Sequence, residues 1–315
     1  GIIAEKINQK KEDIQEHCDK LLQSLRAYFD GRIQNSFSTF QEAMQLIEPI
    51  LFPEKKGSKA RVIGLEDPFY RARIGTNNIY RREQMFHRNF NEREYSSTER
   101  FSIPGLPCLY LSNSIYVCWE ELNRPPINSL LVSRFQKENH NLEILDISLT
   151  PINIKHLLGE LPENGNYSNY KDEFCFSFFV KWPLIVSCSV LVLKEDAPFK
   201  PEYVFPQFLL QWVTQQKNID GIKYFSVKSN PYNSSDYSHF INYVFPPKST
   251  SQSGYCEHLK KSFRLTEPVS WEQLTLSDPG LFYLHKEEPL YKVMTDNLQL
   301  EIIKGYKTAY VHTLF

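Results

Sequence analysis

In residues 69–125, short apolar runs alternate with arginines, aromatic residues and acids. This stretch opens with Phe69-Tyr70-Arg71-Ala72-Arg73, and it continues through Phe86-His87-Arg88 and Glu99-Arg100-Phe101 to a Pro104-Gly105 turn. It closes with Leu109-Tyr110-Leu111-Ser112 and Cys118-Trp119-Glu120-Glu121-Leu122. Guanidinium groups pair with phosphate oxygens at two points, and a carboxylate can face a developing positive charge. This mixture predicts a phosphorylated, sugar-containing ligand.

The composition is that of a globular protein with a substantial core. The chain has 315 residues, of which 41% are hydrophobic and 14% aromatic, so it can form one large domain or two ordinary ones. Thirty-six basic and thirty-seven acidic residues give a net charge of -1. Because neither sign dominates, we expect neither nucleic acid nor a membrane as partner, and phosphate recognition has to be local.

Cysteine usage and hydropathy bear on the compartment. The six cysteines include no Cys-x-x-Cys pair, which predicts reduced thiols. The most apolar run, residues 184–193, is too short for a bilayer span, which needs about 20 residues. No basic-then-apolar leader opens the sequence. We therefore expect a cytoplasmic protein.

Helical periodicity near the start of the chain predicts a hairpin of two helices. The first is expected over residues 6–29 and ends at Gly31. The second is expected to begin at a Ser38-x-x-Gln41 capping box and to close at Pro49. Two helices cannot bury both apolar faces alone, so the hairpin should pack on the main domain or on another copy of the chain. A homo-oligomer through these helices is thus one expectation.

From residue 62 the pattern changes to short strands and helices. Strands are predicted at residues 68–74, 106–112, 130–135, 142–147, 185–193, 222–227 and 240–245, with further strand-like runs at 281–284 and 309–315. Helices are predicted at residues 114–122, 154–161, 174–180 and 206–216. The run at 185–193 is the strongest strand prediction. The helix at 114–122 places Glu121 in its last turn, near the ends of two strands.

In their order, these motifs resemble the RES domain family, whose members are mostly toxins that destroy NAD. The matching residues are Arg71, Arg100 before the Pro-Gly turn, Tyr110, Glu121, and Ser226 after Gly221-Ile222-Lys223-Tyr224-Phe225. The resemblance covers residues 60–248 and implies an α+β fold with a mixed sheet similar to that of ADP-ribosyltransferases, behind the N-terminal helical hairpin. The charged segment 54–59 then separates an N-terminal helical region, residues 1–58, from a RES-like domain, residues 59–248. Residues 249–315 form a C-terminal extension expected to pack on that domain.

The resemblance implies cleavage of the nicotinamide–ribose bond of NAD by a glycohydrolase, phosphorylase or ADP-ribosyltransferase. Glu121, Arg71 and Ser226 are the expected catalytic residues. The Glu121 carboxylate would face a ribose centre that resembles an oxocarbenium ion. Its neighbour Glu120 is the main competitor for that role.

Four further residues are expected to bind NAD: Arg100, Tyr110, Arg73 and His87. By the resemblance, Arg100 lines the pocket at the pyrophosphate or ribose, and Tyr110 can stack on the cationic nicotinamide ring. Arg73 shares a strand face with Arg71, and His87 lies in a polar loop near the motifs. Taken alone, such arginines are often surface residues paired with acids, and such a tyrosine is often a core residue.

The expected role is that of a growth-arresting toxin or defence effector, restrained by an antitoxin or another regulatory protein. Because the sequence has no G-x-G-x-x-G, NAD is expected as a substrate and not as a bound redox cofactor. No metal is expected, since the eight histidines are dispersed without ligand spacing. The acceptor of the ADP-ribosyl group is left open between water, inorganic phosphate and a protein side chain. The alternatives are a non-catalytic nucleotide-binding sensor and a structural or partner-binding protein.

Overall fold

The computed structural model describes residues 2–52, 69–75, 80–138, 142–151, 154–155, 167–228, 240–266 and 268–270. The chain divides into two compact units. Unit 1 is formed by Gly1–Ala60, Glu99–Ile103 and Leu145–Gln216, and unit 2 by Arg61–Thr98, Pro104–Ile144 and Lys217–Phe315. The predicted boundary at 54–59 and the strand-like runs at 281–284 and 309–315 lie outside the described residues.

The elements follow one another along the chain as short helices and strands. The helices are α1 (Ile2–Gln9), α2 (Lys11–Phe29), α3 (Ile33–Leu51), α4 (Ile115–Glu121), α5 (Tyr167–Cys188), α6 (Val204–Gln215) and α7 (Glu257–Ser262). The strands are β1 (Phe69–Ile74), β2 (Leu109–Ser112), β3 (Leu130–Lys137), β4 (Ile144–Ile147), β5 (Gly221–Phe225), β6 (Ile241–Phe245), β7 (Phe263–Leu265) and β8 (Val269–Ser270). Single 3-10 turns occur at Arg82–Met85, Phe90–Tyr95, Ile127–Ser129 and Pro201–Tyr203.

In unit 1, α2 and α3 form the predicted N-terminal hairpin. The turn between them is at Gly31, whose φ of 76° lies in the left-handed region that glycine adopts without strain. Two buried serines fasten the hairpin, because each hydroxyl donates to the other residue's carbonyl: Ser24 to Ser36 at 2.8 Å and Ser36 to Ser24 at 2.7 Å. The prediction of a helical hairpin is confirmed.

The bounds of the hairpin helices differ from the prediction in two places. The first helix is broken at Lys10 into α1 and α2. The second begins at Ile33 and not at the Ser38 capping box, because residues immediately after Gly31 already continue the helical spacing of apolar side chains. Pro49 lies inside the last turn of α3, where its missing N–H removes one hydrogen bond without ending the helix.

In unit 2 the strands form a sheet in the order β5-β6-β2-β1-β3-β7, and β8 pairs with β3. The registers of β1 with β2 and β3, of β2 with β6, and of β5 with β6 are antiparallel. β7 and β8, which belong to the predicted C-terminal extension, both pair with β3. The predicted α+β class, with a mixed sheet and an N-terminal helical hairpin, is confirmed.

The predicted strand at residues 185–193 is wrong. Residues 185–188 form the end of α5, and residues 189–193 have no regular structure. A short apolar run rich in β-branched residues fits a buried helix as well as a strand, and here the helix continues through Pro183. The Ser187 hydroxyl donates to the Pro183 carbonyl at 2.7 Å and the Ser189 hydroxyl to the Ile185 carbonyl at 2.6 Å, which supports the last turn. In the described ranges, no helix has the length and apolar character that a membrane crossing requires.

The buried ring of His17 makes the hairpin sensitive to pH. Its Nδ1 donates to the Ala43 carbonyl at 2.8 Å, which is possible for the neutral tautomer that carries its proton there. Its Nε2 is buried with no hydrogen-bond partner among the described residues. Burial lowers the pKa of His17 below the ordinary value of 6.5, and the bond to Ala43 opposes the shift in part.

We expect His17→Gln to reduce the loss of stability in acid. A lowered folded-state pKa means that the unfolded chain binds more protons below pH 6.5, so stability is full above that value and falls as the pH drops below it. Glutamine can donate to Ala43 but does not titrate. Urea unfolding at pH 7 and pH 5 should therefore show a smaller drop in midpoint for the variant. Equal drops in the two proteins would contradict a neutral His17 in the folded state.

Candidate functional site

The candidate site in unit 2 begins with the short helix that carries Glu121. Helix α4 starts just after β2, where the Ser114 hydroxyl accepts a hydrogen bond from the Val117 N–H at 3.2 Å and caps the helix. It ends at Glu121, and Asn123 and Arg124, which follow Leu122, have φ values of 61° and 54°. The chain therefore leaves the helix sharply, and Glu121 lies in the last turn, as predicted.

Three side chains from the sheet form a hydrogen-bonded polar row with this carboxylate. The Ser226 hydroxyl donates to Glu121 Oε1 at 2.8 Å, and Asn242 Nδ2 donates to the same oxygen at 2.7 Å. The Ser112 hydroxyl donates to Asn242 Oδ1 at 2.6 Å. Ser112, Asn242 and Ser226 are buried, and Glu121 is half-buried. Oε2 of Glu121 accepts no hydrogen bond from the described residues, which leaves it available to a ligand.

The pairing of the strands explains why these side chains meet. Asn242 on β6 lies directly opposite Ser112 on β2, so both side chains point to the same face. Ser226 follows β5, the other neighbour of β6, and its N–H donates to the Phe240 carbonyl at 2.8 Å. The row therefore crosses three adjacent strands, and Glu121 reaches it from the helix that follows β2.

The Lys228 ammonium group binds the C-terminal end of α4, next to the polar row. Lys228 Nζ donates to the backbone carbonyl of Glu121 and to Asn123 Oδ1, each at 3.0 Å. The last carbonyls of a helix lack intrahelical partners and carry partial negative charge, so a lysine there is favourable. This contact joins the segment after β5 to the end of α4.

Glu120, the predicted competitor, has a different environment. It is buried, and its two carboxylate oxygens contact the Arg124 guanidinium at 2.8 Å and 2.9 Å. Successive helical residues point about 100° apart, so only one of the two adjacent carboxylates can reach the polar row. The structure places Glu121 there and pairs Glu120 with an arginine.

Arg71 and Arg73 bring a group of positive charges to unit 2. Arg71 Nη1 and Arg73 Nε are buried and have no hydrogen-bond partner among the described residues. Burial, and then the charge of Arg73, lowers the pKa of Arg71 to about 9. Burial, and then the charge of Arg88, also lowers the pKa of Arg73, whose guanidinium lies 5.9 Å from the centre of the Tyr80 ring. Buried guanidinium groups that repel one another are suited to bind an anion.

Cys118 lies close to both Arg71 and Glu121. The Cys118 thiol contacts the Tyr70 carbonyl at 3.6 Å. Burial raises the pKa of Cys118 to about 12; contact with Ser112 and the charge of Arg71 oppose that rise, and the charge of Glu121 adds to it. The described residues give no hydrogen bond between Arg71 and Glu121. The charges of both residues nevertheless act on the pKa of this thiol.

Tyr110 and His87 lie near Arg71 in different ways. The Tyr110 phenol is close enough to stabilise the charge of Arg71 and is half-buried on β2. His87 is buried; its Nδ1 donates to the Arg88 carbonyl at 2.8 Å, and its Nε2 accepts from the Cys256 N–H at 2.9 Å. Burial and the charge of Arg71 lower the pKa of His87 to about 4, although the bond to Arg88 opposes this. Both ring nitrogens are thus engaged, and the ring is neutral near pH 7.

Arg100 is the one predicted site residue that lies in unit 1. Its Nη1 donates to the carbonyls of Val190 at 2.8 Å and Cys188 at 3.3 Å. The guanidinium carbon also lies 5.2 Å from the centre of the Tyr203 ring. These contacts fasten the segment after α5.

A cavity of about 510 Å³ is present elsewhere in unit 2. Its lining comes from Asn89, Phe90, residues 249–251 and 253–255, Glu257 and Lys260. None of the predicted site residues lines it. Its wall contains Tyr255, whose pKa is raised chiefly by burial, and a hydrogen bond with Asn89 opposes that rise in part. The polar row and the buried arginines therefore define the candidate site, and this cavity does not.

Sequence reasoning missed Asn242, Ser112 and Lys228. Asn242 is the only polar side chain in the run Phe240-Ile241-Asn242-Tyr243-Val244-Phe245, and a lone amide in a buried strand needs a polar partner. That signal was available. Ser112 and Lys228 follow apolar strand runs, where a polar residue is ordinary, so nothing in the sequence distinguished them.

The fold and site define an α+β protein in which a carboxylate and buried arginines lie in one unit. Over 280 residues the chain is 34% identical to "Putative toxin YopC" of Bacillus subtilis (strain 168), and the alignment covers 88% of this chain. It covers 61% of that protein, so the chain spans about three fifths of the length of its curated relative. No family model matches the chain, and no solved structure matches it.

We expect Arg71→Met to stabilise the ligand-free protein. Methionine has a similar length and removes a half-buried charge that has no ionic partner among the described residues. Replacing buried ionic groups by apolar ones of similar volume often raises stability by about 1–4 kcal/mol. Thermal unfolding should show a higher midpoint for the variant, and added pyrophosphate should raise the midpoint of the wild type but not of the variant.

The matched control is Arg264→Met. Arg264 also lies on the sheet, but its Nη2 pairs with Glu138 at 2.9 Å, so its loss should not stabilise the protein. A lower midpoint for Arg71→Met than for the wild type would show that Arg71 has a stabilising partner in the free protein.

Proposed function

We propose that this chain is a toxin that consumes NAD by breaking the bond between nicotinamide and ribose. The observation that carries the proposal is the contact between Ser226 and Glu121, which are 105 residues apart in the chain and join at 2.8 Å. The resemblance to the RES family had named both residues. The name of the Bacillus subtilis relative supports the toxin role.

The arginines and the Glu121 carboxylate suit two different parts of NAD, the pyrophosphate and the ribose. Arg71, with Arg73 beside it, would pair with the pyrophosphate, because a buried guanidinium without a hydrogen-bond partner on one nitrogen favours an anion. Glu121 would face the ribose through Oε2, since Oε1 is occupied by Ser226 and Asn242. Tyr110 would stack on the nicotinamide ring.

The reaction proposed here needs no redox step. The C1′–N bond of NAD breaks, and its electron pair goes to the nicotinamide nitrogen, which turns the cationic ring into neutral nicotinamide. The ribose carbon becomes positive, and the Glu121 carboxylate stabilises that charge. An acceptor then attacks this carbon and loses its proton. Water, inorganic phosphate and a protein side chain remain alternatives for the acceptor.

NAD is therefore proposed as the substrate, with no bound cofactor. A toxin of this kind has to be restrained inside the cell that makes it, so we also propose a cytoplasmic location and a neutralising antitoxin or regulatory protein. Homo-oligomer formation through the N-terminal helices stays part of the proposal.

Glu121→Gln should remove nearly all turnover while NAD still binds. The amide oxygen can accept from Ser226 and Asn242 as the carboxylate does, but it offers no full negative charge to the ribose centre. Loss of such transition-state electrostatics typically costs about 10²–10³-fold in kcat, or about 3–4 kcal/mol. The measurements are nicotinamide release from NAD, with and without phosphate, and NAD affinity.

The control is Glu120→Gln, which loses an ion pair with a largely exposed arginine and should keep nearly full activity. An active Glu121→Gln beside an inactive Glu120→Gln would move the role to the neighbour. If the wild type binds NAD but releases no nicotinamide, the protein is a sensor and the proposed enzyme is wrong.

Expression of the chain should stop bacterial growth and lower cellular NAD together. The reason is that NAD consumption removes a metabolite on which growth depends. Growth and NAD content should be followed after induction of the wild type and of Glu121→Gln. Growth arrest by both proteins with unchanged NAD would show that any toxicity has another cause.

A further inference from the structure

We propose that Asn242 is the positioning residue of Glu121, and that Ser112 holds the other end of the Asn242 amide. The proposal rests on the proposed function, since it names how the same carboxylate is held for the reaction. Neither residue belongs to the set named from the sequence.

The partners of the amide allow only one orientation. The two ends of an asparagine side chain have nearly the same shape, so the chemistry of the neighbours decides which end is the oxygen. An ionised carboxylate can only accept, so the group 2.7 Å from Glu121 Oε1 has to be Nδ2. The Ser112 hydroxyl then donates to Oδ1 at 2.6 Å on the opposite side. A flipped amide would place its oxygen against the carboxylate oxygen, with no hydrogen between the two acceptors.

The anchor lies on a rigid part of the protein. β6 lies between β5 and β2, and Asn242 is paired with Tyr224 on one side and with Ser112 on the other. Only 4% of the residue is exposed. Glu121, in contrast, is the last residue of a helix of seven residues. The place of its carboxylate is therefore determined by the sheet through Asn242, more than by the end of the helix.

This arrangement has a specific consequence for the reaction. Because Oε1 is occupied by donors from Asn242 and Ser226, the free Oε2 is held in one direction. Without Asn242 the carboxylate can rotate about its side-chain bonds, and its negative charge no longer lies in the position required in the transition state. Such a displacement affects kcat more than it affects substrate affinity.

The alternative is that Asn242 and Ser112 are only satisfied polar residues of the core. A core role predicts a loss of stability and a loss of active protein, without dependence on Glu121. A positioning role predicts that the effect of removing Asn242 disappears once Glu121 has lost its charge. Combined variants therefore separate the two explanations.

The experiment measures kcat and KM for nicotinamide release by the purified full chain, with thermal unfolding of every variant. Asn242→Ala should lower kcat roughly 10- to 100-fold with KM within about twofold of the wild type. Asn242→Asp, which is nearly isosteric but replaces the donor by an acceptor, should lose as much. Ser112→Ala should show a smaller loss in kcat, Ser112→Thr should restore it, and Ser112→Ala should have no further effect in Asn242→Ala. In Glu121→Gln, Asn242→Ala should cause no additional loss of the remaining activity.

Ser129→Ala is the matched control, because its hydroxyl donates to the Pro126 carbonyl at 2.7 Å outside the site and its loss should leave kcat unchanged. An unchanged kcat in Asn242→Ala or Asn242→Asp, or a change confined to KM, would overturn the proposal. So would equal losses from Asn242→Ala in the wild type and in Glu121→Gln. If the wild type itself releases no nicotinamide, the proposed function is wrong. If the wild type is active and the Asn242 variants have an unchanged kcat, only the positioning role is wrong.

Discussion

The candidate site depends on a carboxylate at the C-terminal end of a helix, where a negative charge is unfavourable. Glu121 is the last residue of α4, where the backbone carbonyls carry partial negative charge, and an acidic side chain there is unfavourable by about 0.3–1 kcal/mol. Hydrogen bonds to a charged group contribute about 1.5–3 kcal/mol each. The donors from Ser226 and Asn242 therefore outweigh the dipole, and the contact of Lys228 with the Glu121 carbonyl reduces it. Without these partners, a carboxylate at the C-terminal end of α4 would be destabilising.

The polar row requires the topology of the sheet. Its members come from β2, from β6 and from the segment after β5, which are neighbours in space although Ser112 on β2 and Asn242 on β6 are 130 residues apart in the chain. A slip of one residue in the pairing of β2 with β6 would turn Asn242 to the other face and break the row. The apolar residues that alternate with the row fix that register, because Leu111, Tyr243 and Phe245 are buried in the core of unit 2. The core thus determines the geometry of the site as well as the stability of the sheet.

The sequence predicted the parts of the molecule that local rules determine. The turn at Gly31, the helix at residues 114–122 and the strand around Arg71 each follow from the properties of a few neighbouring residues, and all three appear in the structure. The run at 185–193 failed because its composition fits a strand and a helix equally, and the choice depends on the packing of α5. Glu121 and Ser226 were named together because the order of motifs carries information that neither residue has alone. Asn242 was missed because its role comes from long-range pairing with Ser112, which periodicity does not reveal.

The polar row around Glu121 and the two arginines, Arg71 and Arg73, differ in how many hydrogen-bond partners their polar groups have. The first arrangement suits the orientation of a carboxylate, and the second suits the binding of an anion. Oε1 of Glu121 has two donors, so the carboxylate is oriented before any ligand arrives. Arg71 Nη1 and Arg73 Nε are buried without hydrogen-bond partners in the described part of the chain, so the free protein bears a cost that an anion would remove. Binding energy gained at such arginines is similar in the ground state and the transition state, and it therefore holds the substrate without accelerating the reaction. A preoriented carboxylate acts mainly when positive charge develops, so it accelerates the chemical step. A substrate with an anionic part and a carbon that becomes positive would use both arrangements, and NAD has that combination.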